Sequence, residues 1–311
     1  MNGYRQPYRN TGEMLKQLFL GNSVLSRLIQ INTVVFIIVK LISLFTFLFA
    51  VGHESAMNQS LSIIGQYLAL PASVNALAAR PWTIITYMFL HEGFFHILFN
   101  LVMLYFGGIL FTEYLGEKRL LWTYIAGGIF GALFYILAFN VFPAFAPYKD
   151  HSIALGASAS VLAIIVATAT YVPDFTVHLL LFGRVKLKYV AIAFVIIDLL
   201  SIPKGNPGGH IAHLGGAFWG FIYALSLKKG TDIYRFLNLS SYRKNNKNFY
   251  THTYTYGKQE SHRPLNDDEY NEQKIKKQQR IDKILDKISK SGYSSLTKEE
   301  KEFLFKTSGK N

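Results

Sequence analysis

Hydrophobic and polar positions in this chain separate into long blocks and do not alternate residue by residue. Apolar runs bounded by charged or turn-forming positions recur from Ile31 to Leu227. A run of ~20 apolar residues, rising 1.5 Å per residue, is what crosses a ~30 Å hydrocarbon core. The first predicted span is 31–51, after a polar, basic lead-in over 1–30 with Arg5, Arg9, Lys16 and Arg27; Lys40 lies in its middle, where a charge must snorkel or face the interior. Residues 52–90, with Pro71, Pro81, Tyr67, Trp82, Tyr87 and Phe89, read as an interfacial loop. The second span is 94–114, and 116–119 is expected to be a short charged turn. The third is 120–141, with Gly127, Gly128 and Gly131 spaced for close helix contact, ended by Pro143 and Pro147. The fourth, 157–172, covers only ~24 Å, so its start is expected below the membrane surface. Residues 175–188 alternate apolar positions with Arg184, Lys186 and Lys188 and predict a small hairpin or linker. The fifth span, 189–202, carries Asp198 near its end; 203–209 is dense in turn residues; the sixth is 211–227.

Composition supports this pattern. Half the residues are apolar, 15% aromatic and only 16% charged, as expected of a polytopic membrane protein. Of 32 Lys and Arg, 19 lie from Lys228 onward, so the formal net charge of +13 belongs largely to a C-terminal tail and not to a nucleic-acid-binding core. With no cysteine, thiol chemistry and disulfides are excluded. The first apolar run lacks a small-residue cleavage site, so no signal peptide is expected. Lys and Arg concentrate in 1–30, 116–119, 173–188 and the tail, against one each (Arg80, Lys149, Lys204) in the intervening loops. By the positive-inside rule both termini are cytoplasmic, in a bacterial inner membrane, and spans two, four and six begin at the outer face.

That orientation brings a set of polar residues to one depth. His91, His96 and Asn100 fall at the start of span two, Ser158 of Gly156-Ala-Ser158 at the start of span four, and His210 and His213 at the start of span six. Such groups must find partners or line a wet cavity. Read alone, Gly156-Ala-Ser158 is ordinary small-residue helix packing. Three chemistries compete for the cluster. His91-Glu92-Gly-Phe-Phe-His96 has one residue too many for a metalloprotease His-Glu-x-x-His, and the insertion turns the second ring by ~100°, so metal binding by His91, His96, His210 and His213 needs irregular backbone. A proton-relaying transporter needs a polar track across the membrane and usually an internal repeat, and neither is present. Nucleophilic catalysis needs a serine, a base and oxyanion donors, which Ser158, His213, His96 and Asn100 supply.

The chain resembles the rhomboid intramembrane serine proteases in His91-x4-His96-x3-Asn100, Gly156-Ala-Ser158, and Ala212-His213-Leu-Gly-Gly216 with Gly220, and also in Glu113 and Gly116. The resemblance covers roughly residues 30–228 and implies an all-α membrane protein, a six-transmembrane-helix rhomboid-like bundle over 31–228 with a cytoplasmic C-terminal tail. It implies a serine endopeptidase that cleaves transmembrane protein substrates in the lipid bilayer, within or next to their transmembrane segment. Carried over, Ser158 is the nucleophile and His213 the base of a dyad without a carboxylate. His96, Asn100 and the Ser158 backbone N–H form the oxyanion hole, and His91, Gly156, Gly216 and Gly220 give structural support. His210 reads as a wet loop histidine, and Asp198 and Glu113 as buried packing or capping groups. No metal or other cofactor is expected. Without an acid, packing of Gly215, Gly216 and Gly220 against Ala157 and Ala159 would have to fix the base. Family members carry an aromatic ring where this chain has Leu162, and a glycine where it has Ala159. The loop 203–209 and span five would gate substrate access. The non-enzymatic alternative is a rhomboid-like binding or chaperone protein for membrane clients.

Beyond the bundle, 229–270 reads as a disordered basic linker. Residues 271–311 read as a short helical module, with Ile275, Ile281, Ile284, Leu285 and Ile288 at helical spacing and a capping box at Thr297-Lys-Glu-Glu300. This module is either a plain helical hairpin, a dock for a cytoplasmic partner, or a basic surface held against anionic lipid.

Overall fold

The computed structural model describes residues 20–49, 64–179, 183–235 and 267–308. The lead-in over 1–19, the last two residues of the first expected span with the start of the interfacial loop (50–63), and the linker over 236–266 lie outside the described residues. The chain divides into two units, Met1–Tyr242 and Arg243–Asn311.

In the first unit, helix α1 is Val24–Phe49. It begins seven residues before the expected span, because a hydropathy run marks where lipid contact starts and the backbone cap sets where the helix starts. Ser23 Oγ accepts from the Ser26 N–H at 3.1 Å, and Leu25, Leu28, Ile29 and Asn32 are already buried on its inner face. Lys40 on α1 donates from Nζ to the Glu92 carbonyl at 2.7 Å and lies 5.5 Å from the Phe36 ring centre, which accounts for a charge in mid-span.

The expected interfacial loop is a folded cap. Strand β1 (Leu70–Pro71), helices α2 (Val74–Ala79) and α3 (Thr83–Thr86), and the 3₁₀ turn Tyr87–Phe89 follow one another. Side-chain bonds tie the cap down: Tyr87 Oη donates to the Gly128 carbonyl at 2.6 Å, Tyr124 Oη to the Met88 carbonyl at 3.1 Å, and Asn140 Nδ2 to the Ala72 carbonyl at 2.8 Å. Helix α4 (Phe94–Leu115) and helix α5 (Glu117–Val141) meet at Gly116 alone, whose φ of +87° is the left-handed conformation that glycine takes freely. Residues 117–119, expected as part of a charged turn, instead form the first turn of α5, where Glu117 complements the helix dipole. By length and composition α1, α4 and α5 are each able to cross a membrane.

After a 3₁₀ turn at Pro143–Tyr148, strand β2 (Ile153–Ala154) pairs antiparallel with β1, Leu70 opposite Ala154. This pairing hands the chain to helix α6 (Ser158–Tyr171). Eleven of its 14 residues are buried, so α6 is the central post, packed against α4, α5 and α8 (Pro207–Lys228). Close approach relies on glycine. A Cβ on Gly131 of α5 would lie 2.6 Å from the Ala159 Cβ, and one on Gly216 or Gly220 of α8 would run into the carbonyl of Ala159 or Ala163. Gly215, expected against α6, faces the Phe130 carbonyl of α5 instead.

Strands β3 (Thr176–Leu179) and β4 (Gly183–Lys186) form the expected hairpin, steadied by Asp174, which lies 3.0 Å from both Lys186 Nζ and Lys188 Nζ. Helix α7 (Leu187–Ser201) then leads to α8. Asn206 Oδ1 caps α8 by accepting from the Gly209 N–H at 3.0 Å, and Pro207 takes the first helical position. The helix thus begins four residues before the expected sixth span. Residues 231–235, assigned to the linker, fold back on the bundle: Asp232 pairs with Arg119 at 3.0 Å, and the buried Tyr234 accepts from Trp219 Nε1 at 2.8 Å.

The second unit is a helical hairpin of α9 (Asp267–Ser291) and α10 (Lys298–Ser308). Thr297 and Glu300 form the capping box reciprocally, at 3.2 and 2.8 Å, and Glu300 also accepts from Lys287 Nζ at 2.9 Å. Ile284 and Leu296 are buried, whereas Leu285 is exposed.

Candidate functional site

The site begins at Gly156. Its φ is +128°, its N–H donates to the Tyr87 carbonyl at 2.9 Å, and a Cβ there would lie 2.9 Å from His96 Nε2. Only glycine meets both the conformation and the close approach. The turn it allows sets Ser158 at the first position of α6, where the N–H groups have no partner within the helix and stay available as donors.

On α4, His96 lies in the first turn with its ring against Gly156. Asn100, one turn on, is buried and donates from Nδ2 to the His96 carbonyl at 2.9 Å. His91, in the loop before α4, is buried, and its ring stands edge-on to His96 at 5.1 Å. Burial, with the His96 ring second, pushes His91 down to about 4, so it is a neutral packing group at ordinary pH.

His213 enters from α8. Its Nδ1 lies 2.8 Å from Asp198 Oδ1 on α7, and the same oxygen is 2.8 Å from Nδ1 of His210. Two expectations are corrected here. His213 is not without a carboxylate partner, and His210 is not a loop residue: it sits on α8 one turn before His213 and shares its acceptor. Both follow from the Asn206 cap, which starts α8 early enough to face the end of α7. Asp198 was detectable in the sequence as an ionisable residue near the end of the expected fifth span. The Asn-Pro pair at 206–207 was detectable as a helix start.

Two cavities meet at Ser158. One, of about 490 Å³, is lined by His91, Glu92, His96, Gly156 and Ser158 among others. The other, of about 310 Å³, has His96, Asn100, Ser158 and His213 on its polar side and Phe99, Leu162 and Phe194 on its apolar side. Ser158, His213, His96 and Asn100 are therefore brought to one cavity from three helices, while His210 lies behind it. Ser158 lines both cavities, and the second is walled by residues of α4, α6, α7 and α8.

Among the described residues, Asp198, His210 and His213 form the one group with metal-ligating atoms within 4.8 Å of one another. It differs from the four histidines considered from sequence. The two hydrogen bonds to Asp198 already satisfy both Nδ1 atoms, so the cluster is accounted for without an ion.

Residues 78–230 match the Rhomboid domain family, and residues 266–310 match a family of unknown function (DUF6576). Over 165 residues the chain is 33% identical to RHOMBOID-like protein 12, mitochondrial, of Arabidopsis thaliana, a match covering 50% of this chain and 49% of that protein. It is 30% identical over 162 residues to Rhomboid-like protein 17, chloroplastic, of the same plant, covering 48% and 50% of the two chains. A match to Inactive RHOMBOID-like protein 8, also of Arabidopsis thaliana, is 35% identical over 82 residues and covers 26% and 23%. The chain spans about half the length of the first two of these relatives. The Rhomboid match encloses α3 to α8 and with them every residue of the cavity described above that lies on α4, α6 and α8, and together with these relatives it supports a rhomboid family member.

Proposed function

We propose that this protein is a serine-type intramembrane endopeptidase cleaving membrane-anchored substrates within or beside their transmembrane segment. Ser158 is the nucleophile and His213 the general base. His96, the second N–H of the Asn100 amide and the Ser158 backbone N–H receive the oxyanion. The observation that carries this reading is the convergence of Ser158, His213, His96 and Asn100 on a single cavity with an apolar far wall. A transmembrane peptide unwinding between α4 and α7 meets the serine there, while water reaches the same serine from the cavity that His91, Glu92 and His96 help to line.

In this reading all six long helices, α1 and α4 to α8, cross the bilayer, and both termini lie on the side carrying the excess of Lys and Arg. The 14-residue α6 covers only ~21 Å, which leaves its start, and Ser158, recessed below the surface. Two relatives are named as mitochondrial and chloroplastic, so the compartment is carried here no further than a multi-pass membrane location.

The test is turnover by the purified protein in detergent against a panel of transmembrane substrates. Ser158→Ala and His213→Ala are each expected to abolish cleavage, a loss of at least ~10³-fold, with thermal unfolding little changed. Residual turnover above a hundredth of wild type in either variant would refute the dyad. One relative is named inactive, which favours a second reading: a binding protein for membrane clients. Client capture that persists with no cleavage in the wild type would select it.

A further inference from the structure

Resting on the serine-protease reading above, we propose that Asp198 is a positioning residue for His213 and turns the Ser158–His213 pair into a triad. A carboxylate only accepts, so the 2.8 Å contact from Asp198 Oδ1 to His213 Nδ1 requires the proton to be on Nδ1. The lone pair is then on Nε2, the nitrogen left for the cavity that His213 shares with Ser158. Among the described residues no other hydrogen bond fixes that choice of tautomer. Gly216 and Gly220 bring the helices together but touch only backbone of α6, so they set helix separation and not ring rotation.

The carboxylate is itself held. Its side chain is 10% exposed, and His210 Nδ1 donates to the same oxygen from one turn earlier on α8. Two donors on one oxygen make Asp198 a fixed point between α7 and α8, and it lines neither of the two cavities at Ser158. The other titratable groups facing His213 are His210, with ring centres 6.0 Å apart, and His96 from α4. Asp198 is the one group among these able to offset a positive ring.

The chemistry balances with Asp198 unchanged. As the Ser158 oxygen bonds to the scissile carbonyl carbon, its proton moves to His213 Nε2, and the ring becomes an imidazolium whose Nδ1–H still donates to the carboxylate. The C–N bond then breaks, and the Nε2 proton leaves on the departing amine. Water repeats the cycle on the acyl-serine, giving its proton to Nε2 and returning it to Ser158. Asp198 stays ionised throughout; it holds the ring and stabilises its charged form.

The experiment uses the full chain in detergent with a cleavable transmembrane substrate. Asp198→Asn is expected to lower kcat at least tenfold with KM changed less than twofold. Asp198→Glu should recover part of kcat. With ¹⁵N-labelled histidine, the wild-type protein should show Nδ1–H imidazole signals from His210 and His213, of which the His213 signal disappears in His213→Ala. Wild-type kcat in Asp198→Asn would overturn the proposal while the protease reading stands. Absence of Ser158-dependent cleavage in wild type would remove the protease reading, with the tautomer measured independently. If Asp198→Asn unfolds, the tautomer decides: Nε2–H on His213 overturns the triad.

Discussion

Leu162 shows at the scale of one residue how a packing choice bears on chemistry. It follows Ser158 by one helical turn, is buried, and lines the same cavity as His213. A leucine there fills volume without offering a flat face or an aromatic quadrupole to the imidazolium. Replacing it with phenylalanine pits a better-supported ring against overpacking, which typically costs 1–3 kcal/mol. The adjoining cavity of about 310 Å³ gives the larger side chain somewhere to go, so stabilisation is expected to win. Leu162→Phe should raise kcat up to about fivefold, worth ~1 kcal/mol, without lowering the unfolding temperature. A variant equally stable yet much slower would contradict the placement of residue 162 beside the base. Other residues were less legible. Ser158, His96, Asn100 and His213 were visible as a set because they share a depth. Asp198 was not tied to them, because its partner relation depends on how α7 ends against α8, and a single carboxylate in an apolar run carries no sign of which helix it faces.

At the scale of elements, hydropathy located the long helices but not their ends. Apolar runs report which residues avoid water, whereas α1 and α8 start where Ser23 and Asn206 satisfy the first free N–H groups. The glycines of α8 were legible as contact points, though Gly215 turned out to serve α5 and not α6. Gly220 gives the sharper test of helix contact. A methyl added there meets the carbonyl of Ala163 on a helix buried on nearly all sides, which has no room to retreat. Gly220→Ala should therefore destabilise by ~1–3 kcal/mol. Gly93→Ala is the matched control, since a Cβ there meets nothing within 4 Å and its φ of −138° suits any residue. Equal unfolding temperatures for the two variants would mean that α6 and α8 do not pack at this point.

At the scale of the whole molecule, the boundary of the membrane unit lies later than composition implied. Charge and polarity rise at Lys228, which made 229 look like the start of a linker. Yet Asp232 meets Arg119 at 3.0 Å with side chains only 15% and 14% exposed, and also accepts from the Tyr234 N–H at 3.0 Å. Tyr234 is 4% exposed and its ring centre lies 4.2 Å from that of Tyr223. These contacts join the segment after α8 to the starts and ends of α5 and α8 at the face opposite Ser158. Cutting after residue 228 removes the carboxylate from a largely buried ion pair and uncovers an aromatic cluster, and loss of one partner of such a pair typically costs 3–5 kcal/mol. Cutting after Tyr242 keeps all of it and removes only the second unit. The chain ending at 242 should therefore match full length in thermal unfolding and in detergent turnover. The chain ending at 228 should unfold markedly earlier, and Asp232→Ala in full length should reproduce part of that loss. Equal stability of the 228 and 242 truncations would show that residues 231–235 do not belong to the folded core, and a loss of turnover at 242 without loss of stability would make the C-terminal hairpin part of the enzyme.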